Sequence, residues 1–124
     1  MIKPTKLHPH TWPRTIYIAS KLKIELDDEG NEIVNYAPPV EYKFTVNTVT
    51  SSAELAEFGE RAGLIRKIVV PIDYENLFKE FDVAYIDTTP VGEARNGSNA
   101  DYMLKPPRVG NNAIVIYIEK ILGK

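Results

Sequence analysis

The stretch Val40-Glu41-Tyr42-Lys43-Phe44-Thr45-Val46-Asn47 places an apolar side chain at every second position. Successive side chains of a β-strand point to opposite faces, so this alternation is typical of a strand that buries one face in a core. The same period appears from Thr15 to Leu26, where one side of a predicted half-buried strand carries Ile16, Ile18, Leu22, Ile24 and Leu26. Two such strands in the first half of the chain favour a β fold.

The residues between these two strands predict a hairpin. Asp27-Asp28-Glu29-Gly30-Asn31 is rich in residues that tolerate tight or left-handed turns, and Ile33 to Tyr36 resumes a short extended pattern. Pro38-Pro39 then interrupts the pairing before the second long strand, because proline has no N–H group to donate.

After residue 50 the period of the apolar residues changes. Ser51 followed by Glu54 is a capping-box arrangement, and Gly63 is a natural C-terminal stop for a helix. The sequence therefore predicts one short amphipathic helix of about three turns, lying over an open end or a face of the sheet. Further strands are predicted at Leu64–Ile72, Val83–Asp87, Tyr102–Leu104 and Ala113–Leu122.

Many short antiparallel strands with a single helix predict a mostly β fold, either a small antiparallel β-barrel or a sandwich. Residues 1–14 are expected to form an extended N-terminal arm, because three prolines each push the preceding residue toward an extended conformation. Residues 15–124 are then expected to form a single β-barrel-like domain, a size for which one core is enough. One long loop is expected from Thr88 to Asn112, since connections in so small a domain are usually shorter.

Composition argues against several classes of function. With no cysteine, the chain has no disulfide framework, no thiol nucleophile and no thiolate metal site. The formal net charge of −2 argues against a general nucleic-acid binder, because binding to the phosphate backbone depends on clustered Lys and Arg. No apolar run approaches the roughly 20 residues of a membrane-spanning helix, so we expect synthesis in the cytoplasm and no membrane contact.

Histidines and carboxylates do not assemble a metal or catalytic motif in the sequence. His8 and His10 share one face of an extended arm and could supply two imidazoles, but no third metal ligand is evident nearby. The Asp27-Asp28 pair, and Asp82 with Asp87, are the closest carboxylate groupings for a glycosidase-type reaction. Both lie in a predicted turn or at strand ends, where aspartate is favoured for turn chemistry alone.

Nucleophile and phosphate-binding motifs are also missing from the sequence. No serine has a Gly-x-Ser-x-Gly context, and the glycine spacing matches neither the P-loop nor the dinucleotide fingerprint. We therefore predict that the protein is not an enzyme and has no cofactor or metal.

Aromatic residues alternate along the predicted strands, namely Tyr17, Tyr42, Tyr85 and Tyr117. They would suit a sheet that stacks on bases if they faced solvent beside basic residues. More often such residues are buried or half-buried cross-strand partners, and the acidic balance of the chain favours that interpretation.

The arm and the long loop hold the candidate partner-binding residues. Trp12 gives the arm an apolar side chain that could dock on its own domain or on a neighbour. Arg95, Tyr102 and Arg108 are residue types favoured at protein contacts, and Asn96 lies beside Arg95 in the same polar excursion. The competing interpretation of the loop is a floppy surface segment with no partner.

Several segments between Glu54 and Lys120 share a pattern with one protein family. They are Phe58-Gly59, Val70-Pro71, Phe81–Asp87 leading into Thr88-Thr89-Pro90, Asn96-Gly97 with Ala100-Asp101-Tyr102, and Val115–Lys120. In these segments the chain resembles the head–tail connector proteins of long-tailed bacteriophages, the family of head-closure or stopper proteins and adaptors of the neck.

The resemblance implies a small β-barrel that assembles as a homo-oligomeric ring beneath the portal, located in the neck of the virion. Its partners would be portal or adaptor proteins and tail proteins, with passive contact to DNA in the channel. The excursion between Asp87 and Ala113 would contact partners or narrow the lumen. A structural connector is thus the leading hypothesis; an oligonucleotide-binding β-barrel is the alternative, and a small hydrolase using the scattered carboxylates comes third.

Overall fold

The computed structural model describes residues 13–22, 24–90 and 99–122. In these residues one α-helix, α1, spans Ser52–Phe58, and 3-10 turns span Gly59–Leu64 and Ile72–Tyr74. The strands of the described chain are β1 (Pro13–Ala19), β2 (Glu25–Leu26), β3 (Glu32–Ile33), β4 (Val40–Thr48), β5 (Ile65–Pro71), β6 (Val83–Tyr85), β7 (Tyr102–Leu104), β8 (Arg108–Val109) and β9 (Ala113–Lys120).

Six strands close into an antiparallel barrel in the order β5-β4-β1-β6-β7-β9. The closing pair is β5 with β9, whose register runs from Ile65 opposite Glu119 to Pro71 opposite Ala113. The other edge of β9 carries β7 along its C-terminal half and the extra strand β8 along its N-terminal half. The predicted mostly β fold, with a small antiparallel barrel and one short helix, is confirmed.

The barrel interior is filled by apolar side chains that recur at every second strand position. The most deeply buried of them include Ile16, Ile68, Val70, Leu104, Ile114, Ile116 and Ile118. The alternation that predicted β4 is confirmed at Phe44 and Val46, which are buried, whereas Val40 lies at the strand's start and is exposed.

The two ends of the barrel differ in the chain segments that meet there. At the hairpin end β1 finishes at Ala19 and β4 begins at Val40, with the β2–β3 hairpin between them. At the opposite end, called the ionic end for the ion pairs that lie there, β1 begins at Pro13 and β5 begins at Ile65. Because neighbouring strands are antiparallel, each end collects the starts of some strands and the finishes of others.

The predicted long strand from Thr15 to Leu26 is wrong beyond Ala19. There the pairing of β1 with β6 stops, because an Asp82 carboxylate oxygen accepts the backbone N–H of Lys21 at 2.8 Å. The chain continues as β2 and β3, which form a separate two-stranded sheet. As a result Leu22, Ile24 and Leu26, predicted on a buried face, are 48%, 41% and 67% exposed.

Helix α1 begins with the predicted capping box. The Ser51 hydroxyl accepts the backbone N–H of Glu54 at 3.1 Å, and the Glu54 carboxylate accepts the backbone N–H of Ser51 at 3.2 Å. The helix stops at Gly59, whose φ of 56° suits glycine, and not at the predicted Gly63, because the chain tightens into a 3-10 turn between them. In the described ranges no helix has the length and apolar character needed to cross a membrane.

Candidate interaction surface

A carboxylate between two guanidinium groups covers the ionic end of the barrel. Arg14 Nη2 lies 3.1 Å from Asp87 Oδ1, and Arg66 Nη2 lies 3.2 Å from Asp87 Oδ2. Arg14 also donates to the carbonyl oxygen of Ile86 at 2.7 Å. The guanidinium carbon of Arg66 lies 5.4 Å from the ring centroid of Tyr102, in a cation–π contact. We call Arg14, Asp87 and Arg66 the ionic layer; the ring of Tyr102 lies beneath it.

The Asp87 carboxyl stays ionised in this layer. Partial burial opposes its ionisation, but the hydrogen bond from Arg14 and the charge of Arg66 outweigh that effect, so the pKa of Asp87 lies below its ordinary value. The backbone beneath is fixed by Asp101, whose carboxylate oxygens accept the N–H groups of Ile86 and Asp87 at 2.8 and 2.9 Å.

Tyr102, predicted to bind a partner, forms part of the barrel interior and is 4% exposed. Arg66, which covers it, was missed by the sequence reasoning. Arg66 lies two and four positions before the buried Ile68 and Val70, so its side chain points to the same face of β5. This spacing could have identified it, because an inward-facing charged residue at a strand end lies over the mouth of a barrel.

Arg108, also predicted to bind a partner, joins β8 to helix α1. Its Nη1 lies 3.0 Å from Oε1 of Glu57 and its second terminal nitrogen also contacts that carboxylate, while its guanidinium carbon lies 4.7 Å from the ring centroid of Tyr117. The hydrogen bond from Arg108 is the main reason why the pKa of Glu57 is lowered. About half of the Arg108 side chain remains open to solvent beside this contact.

Glu54 holds the inner face of α1 against the outside of the barrel. It is 6% exposed, and one carboxylate oxygen lies 2.9 Å from Lys67 Nζ and accepts the Tyr117 hydroxyl at 2.8 Å. The bond from Lys67, opposed by desolvation and aided by Tyr117 and Ser51, lowers the pKa of Glu54 to about 2. A perturbed carboxylate is a catalytic candidate in general, but here each contact also secures the helix.

The hairpin end is closed by a stack of aromatic rings. Tyr42 and Phe44 of β4 have ring centroids 5.1 Å apart, and Phe78 lies edge-on to Tyr42 at 5.2 Å. Tyr74 completes the set at 5.4 Å from Phe44. We call these four residues the aromatic plug.

The outer surface of the hairpin end is unusually apolar. Ten large apolar side chains are exposed across the described ranges, and eight of them lie at this end. The eight are Leu22, Ile24, Leu26, Val34, Val40, Leu77, Phe81 and Val109; the other two are Leu55 on α1 and Leu122 after β9. Exposed apolar side chains at one end of a domain make that end a candidate contact surface.

The hairpin is also strongly acidic. Residues 24–36 contain five carboxylates and neither Lys nor Arg. One of the five, Asp27, closes the turn by accepting the N–H groups of Glu29 and Asn31 at 2.9 and 2.8 Å. The bond from Asn31 is the chief reason why the pKa of Asp27 is lowered.

The two carboxylate groupings considered for catalysis have structural contacts. The turn role predicted for the Asp27-Asp28 pair is confirmed at Asp27. Asp82 is 3% exposed, accepts the backbone N–H groups of Lys21 and Lys79, and lies at the hairpin end, whereas Asp87 lies at the ionic end. Asp82 and Asp87 therefore do not face each other across a common cleft.

The tyrosines considered for base stacking are largely covered. Tyr85 and Tyr117 are buried, Tyr42 belongs to the aromatic plug, and Tyr17 is half-buried.

Trp12, Arg95 and Asn96 lie outside the described residues, as do His8 and His10. Among the residues that are described, no three His, Asp or Glu side chains lie together as metal ligands would.

Comparison with known proteins supports the fold alone. No protein-family model matches the sequence, and no curated protein matches it. The structure is similar to the solution structure of protein SF1141 from Shigella flexneri 2a, with a TM-score of 0.60 and 18% sequence identity. The similarity covers 94% of this chain and 100% of that one.

Proposed function

We propose that the protein is a non-catalytic structural connector of a phage neck, which assembles as a ring between portal and tail, closes the head and docks the tail. The observation that carries the proposal is the division of the surface, in which eight of the ten exposed large apolar side chains of the described ranges gather at the hairpin end. A filled barrel with one apolar end is suited to fitting against other proteins. The sequence resemblance to connector proteins adds the identity of those partners.

The roles of the carboxylates support a non-catalytic protein. Glu54 caps and anchors α1, Asp82 organises a turn, Asp87 bridges two arginines and Asp101 fixes the end of β6. Each of these contacts has a structural purpose, so a catalytic role is not needed to explain any of them.

The partners that follow from the proposal are portal or adaptor proteins and tail proteins, with further copies of the chain in the ring. Its site of action is the neck of the virion, after synthesis in the host cytoplasm. At the ionic end Arg14 and Arg66 are both engaged by Asp87, which suits a channel that lets DNA pass without gripping it.

The proposal is tested by imaging the purified full chain alone and mixed with portal rings from the same genome. We expect a ring of added density on one face of the portal, absent from portal rings imaged alone. A protein that remains monomeric with the portal present, and binds single-stranded DNA tightly in a salt-sensitive manner, would instead establish the oligonucleotide-binding alternative.

A further inference from the structure

We propose that neighbouring subunits are joined by exchange of their N-terminal segments, with residues 1–12 of one copy docking on the exposed apolar face of the β2–β3 hairpin of a second copy. The inference rests on the proposed function, for which it supplies the contact that builds the ring.

The hairpin has an apolar face with nothing described over it. Its register sets Glu25 opposite Ile33 and Leu26 opposite Glu32. Alternation along each strand places Ile24, Leu26 and Val34 on one face, with the Glu32 carboxylate among them. These three apolar residues are 41%, 67% and 37% exposed. An isolated two-stranded sheet is marginally stable in water, so this hairpin gains most from a partner that covers its apolar face.

The charge of the hairpin specifies the chemistry of that partner. Residues 24–36 carry five carboxylates and no Lys or Arg, so a complementary segment combines apolar side chains with positive charge. Residues 1–12 have this composition, with Ile2, Leu7 and Trp12 beside two lysines and no carboxylate.

Docking on a second copy avoids the chain reversal that docking on the segment's own hairpin would require. Residue 12 joins Pro13 at the ionic end, whereas the hairpin follows Ala19 at the far end of β1, about 20 Å away for a seven-residue strand. To reach its own hairpin the segment would have to reverse direction at Pro13 and run back along β1, which pairs with β4 from Pro13 to Ile18 and with β6 from Tyr17 to Ala19. Twelve extended residues span at most about 40 Å, enough to reach a hairpin presented by a neighbour at the ionic end.

A contact between unlike ends is also compatible with a ring. Joining the ionic end of one subunit to the hairpin end of the next is a heterologous contact, and repeated heterologous contacts generate a ring when their rotation closes.

Trp12, the sole tryptophan of the chain, reports the contact directly. In the full chain its emission is expected to shift to shorter wavelength as concentration rises, in step with the mass measured by sedimentation equilibrium. Docking within one chain would make the emission independent of concentration and would overturn the exchange.

Two classes of variant disable the two halves of the contact. Ile24→Ser with Leu26→Ser removes the apolar face, and Lys3→Glu with Lys6→Glu reverses the charge of the segment. We expect each double variant to associate at least about tenfold more weakly than the unmodified chain. Leu55→Ser is the matched control, since Leu55 is 47% exposed on α1 away from the hairpin, and it should leave association unchanged.

Mixing the two double variants gives the decisive result. Each mixed pair retains one intact segment and one intact hairpin, so the mixture should form one-to-one heterodimers that do not extend further. Association that persists undiminished in both double variants would overturn the exchange, while rings on the portal in those variants would leave the proposed function standing. Exchange in solution without any added density on the portal would support the segment exchange and contradict the proposed function.

Discussion

The two ends of the barrel are closed by different chemistry and leave different surfaces behind. At the hairpin end four aromatic rings fill the mouth, and the surrounding surface exposes most of the large apolar side chains. At the ionic end Asp87 bridges Arg14 and Arg66 over the ring of Tyr102. Aromatic packing is largely indifferent to salt and pH, whereas a partly exposed ionic layer is sensitive to both. The stability of the barrel is therefore expected to depend mainly on the hairpin end.

Removing a ring from the aromatic plug should have the largest effect. Phe78 is 5% exposed and contacts Tyr42, Phe44 and Tyr74. Phe78→Ala should lower the free energy of unfolding by about 3 to 4 kcal/mol, through lost burial and the cavity left behind. Urea denaturation followed by circular dichroism measures the loss.

Phe81→Ala is the matched control for that experiment. Phe81 belongs to the same end and is 49% exposed, so its truncation should cost less than about 1 kcal/mol. Equal losses in the two variants would show that the plug does not carry the stability of the hairpin end.

Glu54 lies on the outside of the barrel wall and not at either end. Its contribution to stability depends on pH, so it has to be measured separately from that of Asp87 at the ionic end. The pKa of Glu54 is lowered to about 2 from an ordinary 4.5, so its contribution to stability is complete above about pH 4.5 and is lost as pH falls toward 2. Glu54→Gln should lower the free energy of unfolding by about 2 kcal/mol at neutral pH. This is less than the full pKa shift would give, because solvent at the barrel surface screens the interaction. The cost should shrink steadily between pH 5 and pH 2, as measured by urea denaturation at each pH.

Glu60→Gln controls for the loss of one negative charge, since Glu60 is exposed in the 3-10 turn after α1. A cost for Glu54→Gln that stays constant with pH would mean that the buried carboxylate acts through packing and not through its charge.

Local signals in the sequence were sufficient for most of the elements. The Ser51–Glu54 capping box needs only residues three apart, and the alternation at Phe44 and Val46 needs only one strand. The strand predicted at Tyr102–Leu104 is likewise confirmed. These features depend on neighbours in the sequence, which is why they could be predicted.

Features that depend on distant residues could not be predicted. The hydrogen bond that ends β1 joins Lys21 to Asp82, 61 positions later, and without it the alternation to Leu26 indicated a buried face. The ionic layer joins Arg14 to Asp87 across 73 positions, so neither arginine of that layer was singled out. Nothing in residue type alone distinguishes the buried Tyr102 from a tyrosine at a contact surface. The apolar hairpin was therefore missed as a candidate surface because its pattern matched that of a core strand.

The smallest expected effect concerns the ionic end. Asp87→Asn removes the shared acceptor and leaves Arg14 and Arg66 facing each other, which should cost about 1 kcal/mol at low ionic strength because all three side chains are partly exposed. Added salt screens both the lost attraction and the new repulsion, so the cost should fall toward zero near 1 M salt, where the screening length is about 3 Å. Asp73→Asn, an exposed carboxylate at the hairpin end, should be neutral at every salt concentration. Urea denaturation across a salt series measures both variants, and a salt-independent cost for Asp87→Asn would mean that the two ends do not differ in the way described.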